Sequence, residues 1–136
     1  MDGVVLNPLK QIHNPKGDIF HAMKKSDTGF DGFGEAYFSA IHENDIKGWK
    51  KHTKMTLNLI VPSGAIEFII YNEKTNNFFN VTLSQENYQR LTVKPNLWMA
   101  FRGVGTQSNM LLNLASIEHD PSEAINCSLE EIEYEW

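Results

Sequence analysis

Glycine and proline recur at short intervals along the whole chain, and this spacing limits the fold more than any other feature. The 136 residues include nine glycines and five prolines, which leave little room for long helices. Between them lie short segments that alternate polar and apolar residues, such as 35–41, or are almost wholly apolar, such as 65–72. This pattern predicts about eight to ten short strands in a β-sandwich or a small barrel. For 35–41 a helix is the competing prediction, because glutamate and alanine favour helices.

Composition and charge narrow the class of protein. Hydrophobic residues make up 41% of the chain and charged residues 21%, which predicts one globular domain spanning 1–136. The single cysteine suits a reducing compartment, and no segment has the pattern of a signal peptide or the ~18 apolar residues of a membrane span. We therefore expect a cytoplasmic protein. The net charge of −5 argues against nucleic acid or a membrane surface as partner.

A basic cluster stands against this overall negative charge. Four lysines and a histidine fall within residues 47–54, and the chain then continues as an apolar strand to residue 61. If 46–61 is one bent strand, a single face carries Lys50, His52, Lys54, Thr56 and Asn58. Facing a hydrated cavity, these side chains can bind an anion, polarise a carbonyl or move a proton. The alternative is a solvated outer face, since lysines are usually exposed.

Other segments yield weaker signals. The five histidines show no metal-binding spacing and one cysteine cannot build a zinc site, so no metal and no cofactor are expected unless distant residues converge. Trp98 and Phe101 could wall a pocket for a flat ring, or could simply pack in the core. Residues 62–64 predict a hairpin turn, and the alternating apolar and acidic residues of 129–136 predict an edge strand with its charges outward.

Five segments stand in the same order as the motifs of one enzyme family. They are Lys16-Gly17-Asp18, Lys47-Gly48-Trp49-Lys50, 64–74, 95–101 and 119–123. With them the chain resembles the dTDP-4-dehydrorhamnose 3,5-epimerase family of cupins and its relatives among sugar-nucleotide-modifying enzymes. The resemblance implies an all-β fold, a cupin-like jelly-roll β-barrel (double-stranded β-helix), and a homodimer. It also implies a nucleotide-diphosphate sugar as ligand.

The resemblance also implies roles for particular residues. In the family a histidine is the base, a lysine stabilises the enolate and a tyrosine is the acid. Here Lys50 stands at the histidine position and Met99 at that of a second histidine. The predicted base is His52, its electrostatic partner Lys50 or Lys54, and the acid His119. The predicted substrate-binding residues are Lys47, for the diphosphate, with Tyr37, Asn58, Asn72 and Trp98.

Three functions remain open at this point. The first is an epimerase or ketoisomerase that acts on a nucleotide-linked 4-keto sugar through an enediolate, in surface-polysaccharide biosynthesis. The second is a cupin of the same fold that binds a nucleotide sugar or a partner protein without turnover, which Met99 and the missing histidine favour. The third and weakest is a metal-dependent cupin dioxygenase or isomerase.

Overall fold

Two five-stranded antiparallel sheets form the body of the molecule. The computed structural model describes all 136 residues. The strands are β1 (Val4–Pro8), β2 (Gln11–Ile12), β3 (Ile19–Phe20), β4 (Glu35–Ile41), β5 (Ile46–His52), β6 (Leu57–Ser63), β7 (Ala65–Asn72), β8 (Asn77–Ser84), β9 (Gln89–Val93), β10 (Trp98–Gly103), β11 (Asn109–Ala115) and β12 (Ala124–Asn126). One sheet has the order β1-β9-β6-β11-β4 and the other β12-β5-β10-β7-β8, while β2 and β3 pair separately. The predicted all-β jelly-roll is confirmed.

Helical structure is confined to two 3₁₀ turns, Pro121–Glu123 and Leu129–Glu131. No helix has the length and apolar character that a membrane crossing requires. The strand predicted for 35–41 is β4, so the competing helix is wrong there. In this strand the cross-strand contacts to β11 decide the structure, whatever the helix propensity of single residues.

The main core lies between the two sheets. Fourteen buried apolar residues form it, including Leu57 and Leu91 from the first sheet and Phe68 and Ile70 from the second. Strand β7 is buried on both faces, as its apolar sequence predicts, because its other face, with Ile69, packs in a second cluster outside the sheet.

The turn between β6 and β7 carries the chain from one sheet to the other. A hairpin was the expectation from 62–64, and it is wrong: β6 lies between β9 and β11, whereas β7 lies between β10 and β8. Gly64 makes the crossing with a φ of +77°, and a Cβ there would lie 2.3 Å from Asn109 Oδ1. The close approach and the left-handed backbone both require glycine.

The basic stretch forms two strands in different sheets. β5 ends at His52 and β6 begins at Leu57, so the expectation of one bent strand over 46–61 is wrong. In the break between them, the backbone N–H groups of residues 53–55 donate to Glu123 Oε2 at 3.1–3.3 Å. The N–H of Thr56 donates to Ser116 Oγ at 2.8 Å. Side chains therefore satisfy the backbone where the ladder stops.

The C-terminal residues cover the outer face of the second sheet. Residues 132–136 are irregular, so the predicted edge strand is wrong, but the predicted alternation is present: Ile132, Tyr134 and Trp136 are half-buried and the glutamates between them are exposed. The three apolar side chains pack on a cluster centred on Trp49 and Trp98. The outer face of the second sheet is itself apolar. Burying this face under the tail therefore stabilises the molecule more than pairing the tail as an edge strand would.

Candidate active site

A cavity of about 250 Å³ opens between the two sheets. One part of its wall is apolar and the other part is polar. The apolar side chains are Leu57, Leu59, Met99, Phe101 and Leu111, and the polar ones are Tyr37, Ser39, Lys47, Lys50, His52 and Asn113. The lysines and Tyr37 are exposed, so these three side chains lie toward the mouth, whereas Asn113 is buried.

A histidine and a glutamate pair at this cavity. His52 Nδ1 is hydrogen-bonded to Glu123 Oε1, and the two side chains are 13% and 2% exposed. Glu123 ends the 3₁₀ turn Pro121–Glu123, which Asp120 caps by accepting the N–H of Ser122. Because Nδ1 is occupied, Nε2 is the nitrogen of His52 that is left free to exchange a proton with a ligand.

Glu123 is held as a carboxylate. Burial raises the pKa of Glu123, but the hydrogen bonds from His52 and from the backbone N–H groups of Lys54 and Met55 outweigh burial and keep the pKa below its ordinary value. The negative charge lies directly against the imidazole. It therefore fixes the ring orientation and favours the imidazolium that forms when His52 takes a proton.

An extra residue in β5 brings two lysines to the same side. Met99 of β10 pairs with Lys50, and Phe101 pairs with Lys47, so three steps along β5 match two along β10. Such a bulge shifts the alternation by one residue. Both lysines thus line the cavity, although a regular strand would place them on opposite faces.

The two lysines differ in what they contact. Lys47 Nζ donates to Ala40 O at 2.7 Å and to Ser39 Oγ at 3.3 Å, which ties β5 to the edge strand β4. The ammonium group of Lys50 makes no hydrogen bond or ion pair within the chain. Lys50 therefore supplies a free positive charge at the cavity.

Tyr37 and Asn113 form a polar pair across β4 and β11. The two residues are partners in the strand register, and Asn113 Nδ2 donates to the Tyr37 hydroxyl oxygen at 2.9 Å. Tyr37 is 43% exposed and Asn113 is 1% exposed. The cavity thus has a phenol on the wall of the first sheet and an imidazole on that of the second.

Comparison with known proteins identifies the family. Residues 2–132 match the family described as FdtA: WxcM-like, C-terminal. The chain belongs to this family. No curated protein sequence gives a significant match.

Several solved structures similar to this FdtA-family chain are sugar isomerases or epimerases. A dTDP sugar isomerase from Desulfovibrio desulfuricans G20 has a TM-score of 0.89, with 29% identity over 93% of this chain and 85% of that one. The sugar 3,4-ketoisomerase QdtA from Thermoanaerobacterium thermosaccharolyticum, in complex with TDP, has a TM-score of 0.81 and 21% identity, covering 97% and 93% of the chains. A variant of QdtA was solved with TDP-4-keto-6-deoxyglucose.

The rmlC epimerase of Mycobacterium tuberculosis is similar in fold, with a TM-score of 0.84, 14% identity, and coverage of 99% of this chain and 74% of the epimerase. The predicted resemblance to sugar-nucleotide epimerases and their relatives is therefore confirmed. The predicted isomerase class is confirmed at the level of these relatives.

Four of the residues predicted for the site in this FdtA-family chain line the cavity: His52, Lys50, Lys47 and Tyr37. The other five lie outside its lining: Lys54, Asn58, Asn72, Trp98 and His119. Lys54 is exposed in the segment between β5 and β6, and His119 is exposed in the segment between β11 and the Glu123 turn. The structure therefore does not bring the predicted acid, His119, to the predicted base.

The remaining three have other partners. Asn58 faces away from the cavity and accepts hydrogen bonds from Arg90 Nε at 3.2 Å and Thr92 Oγ1 at 2.7 Å. Trp98 lies on the outer face of the second sheet and donates from Nε1 to Glu73 at 3.1 Å. Asn72 ends β7 and accepts the N–H of Lys74 at 3.0 Å.

The even-numbered face predicted for 50–58 holds only as far as His52. Strand β5 ends at His52, and the chain crosses to the other sheet through residues 53–56 before β6 begins. In β6, Leu57 and Leu59 face the cavity while Asn58 faces outward. A one-residue change of phase reverses every later side chain of a strand.

Sequence reasoning gave no role to Glu123 or Asn113. Glu123 is the last residue of the segment 119–123 that carried part of the resemblance. The sequence does not distinguish it from the other glutamates of the C-terminal region. Asn113 had a usable signal, since it is a polar residue at an inward position of an alternating strand. No three histidine, cysteine, aspartate or glutamate side chains lie close enough together to hold a metal ion.

Proposed function

We propose that this protein is an isomerase that removes a proton from the carbon next to the ketone of a nucleotide-linked 4-keto sugar. The observation that carries the proposal is the His52–Glu123 pair, set at a cavity that also holds the free ammonium of Lys50. The FdtA family and its sugar-isomerase relatives support the same class of reaction.

The chemistry needs a base, a positive charge and an acid. His52 Nε2 takes the proton from carbon, the C–H electrons form an enediolate, and Glu123 stabilises the resulting imidazolium. Lys50 stabilises the negative oxygen that develops. Tyr37, on the opposite wall, donates its hydroxyl proton to that oxygen, which gives an enediol. His52 then returns its proton to the carbon that carried the ketone, and the hydroxyl group on the other carbon of the enediol returns a proton to the Tyr37 phenolate as it becomes the new ketone. In this scheme Tyr37 takes the role that the resemblance gave to His119.

The size of the cavity limits what it can enclose. Its volume of about 250 Å³ is below the roughly 300–1,000 Å³ of pockets that hold drug-sized ligands. The cavity therefore fits the sugar ring, and the nucleotide lies at the mouth. Lys47 would contact the diphosphate there with the N–H that Ser39 and Ala40 leave free.

We propose the biological setting from the sequence. The family resemblance supports surface-polysaccharide biosynthesis and a homodimer, and the single cysteine suits a cytoplasmic location. The molar mass of the purified protein in solution, measured by light scattering, tests the dimer. A mass of 15.5 kDa, that of one chain, would contradict it.

Deuterium exchange tests the reaction. With TDP-4-keto-6-deoxyglucose in D₂O, the wild-type protein is expected to replace the proton next to the ketone and to form an isomeric sugar, both visible by ¹H NMR. The exchange rate of His52→Asn is expected to be at least about 100-fold lower than that of wild type, because this variant lacks the base. His42→Asn, which removes an exposed histidine outside the cavity, is the matched control and should exchange normally.

Two results would contradict this assignment. Equal exchange by His52→Asn and wild type would remove His52 from the reaction. A large loss in His119→Asn, whose side chain is exposed and outside the cavity, would restore the acid that the sequence resemblance implied.

A binding protein without turnover is the second candidate. The observation that favours it is the apolar wall, where Met99 stands in place of a second ionisable group. TDP would then raise the melting temperature, since it binds only the folded form, and wild-type protein would show no exchange. Exchange by wild type would dispose of this candidate.

A further inference from the structure

Two asparagines on β11 face the interior and differ in their contacts. Strand β11 alternates, so that Asn109, Leu111, Asn113 and Ala115 are buried and the residues between them are not. Asn109 has a partner at both ends of its amide: its Oδ1 accepts the N–H of Ala65, and its Nδ2 donates to Ile41 O and Gly105 O. It joins three segments of the barrel and has an evident structural role.

Asn113 lacks this full set of partners. Its Nδ2 donates to the Tyr37 hydroxyl at 2.9 Å, but its Oδ1 is buried and has no hydrogen-bond partner. An unpaired buried acceptor is unfavourable, and a leucine, which has the same number of side-chain heavy atoms, would occupy this position without one. Stability alone does not explain an amide at this position.

The contact with Tyr37 offers an explanation. The amide N–H occupies the acceptor side of the phenol oxygen, and the Tyr37 hydroxyl makes no other hydrogen bond in the chain. Its own proton is therefore directed away from Asn113, and Tyr37 lines the cavity. The direction of one hydrogen bond thus decides whether the phenol can donate to a ligand.

We propose that Asn113 is a positioning residue that holds the Tyr37 hydroxyl with its proton directed at the oxygen of the bound sugar. This inference rests on the proposed function, in which Tyr37 is the proton donor. Tyr37 lies on an edge strand with no strand beyond it, so few other contacts hold the ring. Lys47, which binds Ser39 and Ala40, fixes the neighbouring part of the same strand.

The first test separates positioning from structure. Asn113→Leu is expected to lower kcat about tenfold, the change that corresponds to one ordinary hydrogen bond, while Tm stays equal or rises. In a Tyr37→Phe background the same substitution should cost nothing further. Asn109→Leu, on the same face of the same strand, is the matched control and should lower Tm. The inference is overturned if Asn113→Leu keeps wild-type kcat, lowers Tm as the control does, or loses as much rate in the Tyr37→Phe background.

The second test reads the direction of the bond. In Asn113→Asp the carboxylate accepts from the phenol and turns its proton away from the ligand. Its kcat relative to wild type is therefore expected to be low at neutral pH and to rise as the pH falls and the new carboxyl group becomes protonated. A wild-type rate for Asn113→Asp at neutral pH would show that the phenol donates to Asn113 and would overturn the proposal.

A third measurement does not depend on turnover. The side-chain amide resonances of Asn113, assigned by their absence from Asn113→Leu, are expected to shift in Tyr37→Phe. If they shift while wild-type protein shows no deuterium exchange, the hydrogen bond stands and the proposed isomerase function fails. If they do not shift, the positioning inference fails whether or not the protein is active.

Discussion

The two carboxylate oxygens of Glu123 bind different groups. Oε1 holds the ring of His52, and Oε2 accepts the backbone N–H groups of residues 53–55, where β5 has ended. The same side chain therefore fixes the proposed base and satisfies the backbone beside it. A change at this residue should affect both catalysis and stability.

Replacing Glu123 with glutamine separates charge from shape. Glu123→Gln keeps the size of the side chain but removes the charge that stabilises the imidazolium, so kcat is expected to fall roughly 100-fold or more. The amide has one acceptor oxygen where the carboxylate has two, so either the backbone N–H groups of 53–55 or His52 Nδ1 loses its acceptor, which costs about 1–3 kcal/mol. Steady-state kinetics and urea unfolding measure the two effects. Glu118→Gln, an exposed residue nearby, should change neither, and a fully active Glu123→Gln would contradict the role of the pair.

Glu123 should also make stability depend on pH in the acid range. Burial raises its pKa, but the hydrogen bonds outweigh burial and hold the folded-state pKa below the ordinary value of 4.5. A carboxyl group of this kind contributes stability that is complete above the unfolded-state pKa and is lost as the pH falls through the folded-state value. The unfolding free energies of wild type and Glu123→Gln, measured from pH 5.5 to 3, should therefore converge below pH 4.5. A constant difference would contradict the lowered pKa.

The sequence predicted Lys50 and His52 from the basic cluster of 47–54, and Lys47 and Tyr37 through the family resemblance; all four line the cavity. It could not identify Glu123, because its partner is 71 positions away in the chain. Asn113 was recognisable in principle, as a polar residue at an inward position. Its bond to Tyr37 depends on the register of β4 with β11, which the sequence does not state.

The successive strands β5 and β6 each show the predicted alternation of inward and outward side chains, but the alternation does not continue in the same phase from one strand to the next. Each strand alternates, but the segment between them changes sheets, so Asn58 lies on the outer side of its sheet. There it belongs to a network with Arg90, which is buried and donates to Ala22 O at 3.0 Å and Thr28 O at 2.7 Å. This network fixes the segment that leads to β4.

Asn58 is therefore expected to matter for stability and not for the substrate. Asn58→Leu should lower the free energy of unfolding by about 1–3 kcal/mol, because Arg90 and Thr92 each lose a partner in the interior. At a temperature where the variant is folded, KM and kcat should equal those of wild type. Urea unfolding and kinetics together test this. A raised KM in a protein of unchanged stability would return Asn58 to the substrate site.

The whole molecule uses both faces of β5. Its inner side presents Lys50 and His52 to the cavity, and its outer side presents Trp49 to the C-terminal residues, whose Trp136 ring centroid lies 6.4 Å from that of Trp49. The spacing of glycine and proline was enough to predict the strand-rich architecture. Which segment covers the outer face could not be predicted, since that depends on how β5, β7 and β10 lie side by side.

Removal of residues 134–136 tests the importance of this cover. The deletion exposes the outer face around Trp49 and removes two aromatic rings, so it should lower the free energy of unfolding by about 2 kcal/mol or more and increase binding of an apolar dye. Substitution of the exposed Glu133 or Glu135 with alanine is the matched control and should change stability by less than about 0.5 kcal/mol. Unchanged stability on deletion would mean that the packing of the tail contributes little.

The additional residue of β5, which sets Lys47 on the same side as Lys50, affects how homologous chains should be compared. A single insertion or deletion near Gly48 would move a cation into or out of the cavity while every residue type stayed the same. An alignment that scores only identities would treat two such homologues as equivalent at this motif. Their preference for anionic ligands would nevertheless differ. The number of residues between the two lysines therefore predicts specificity as much as the residue types do.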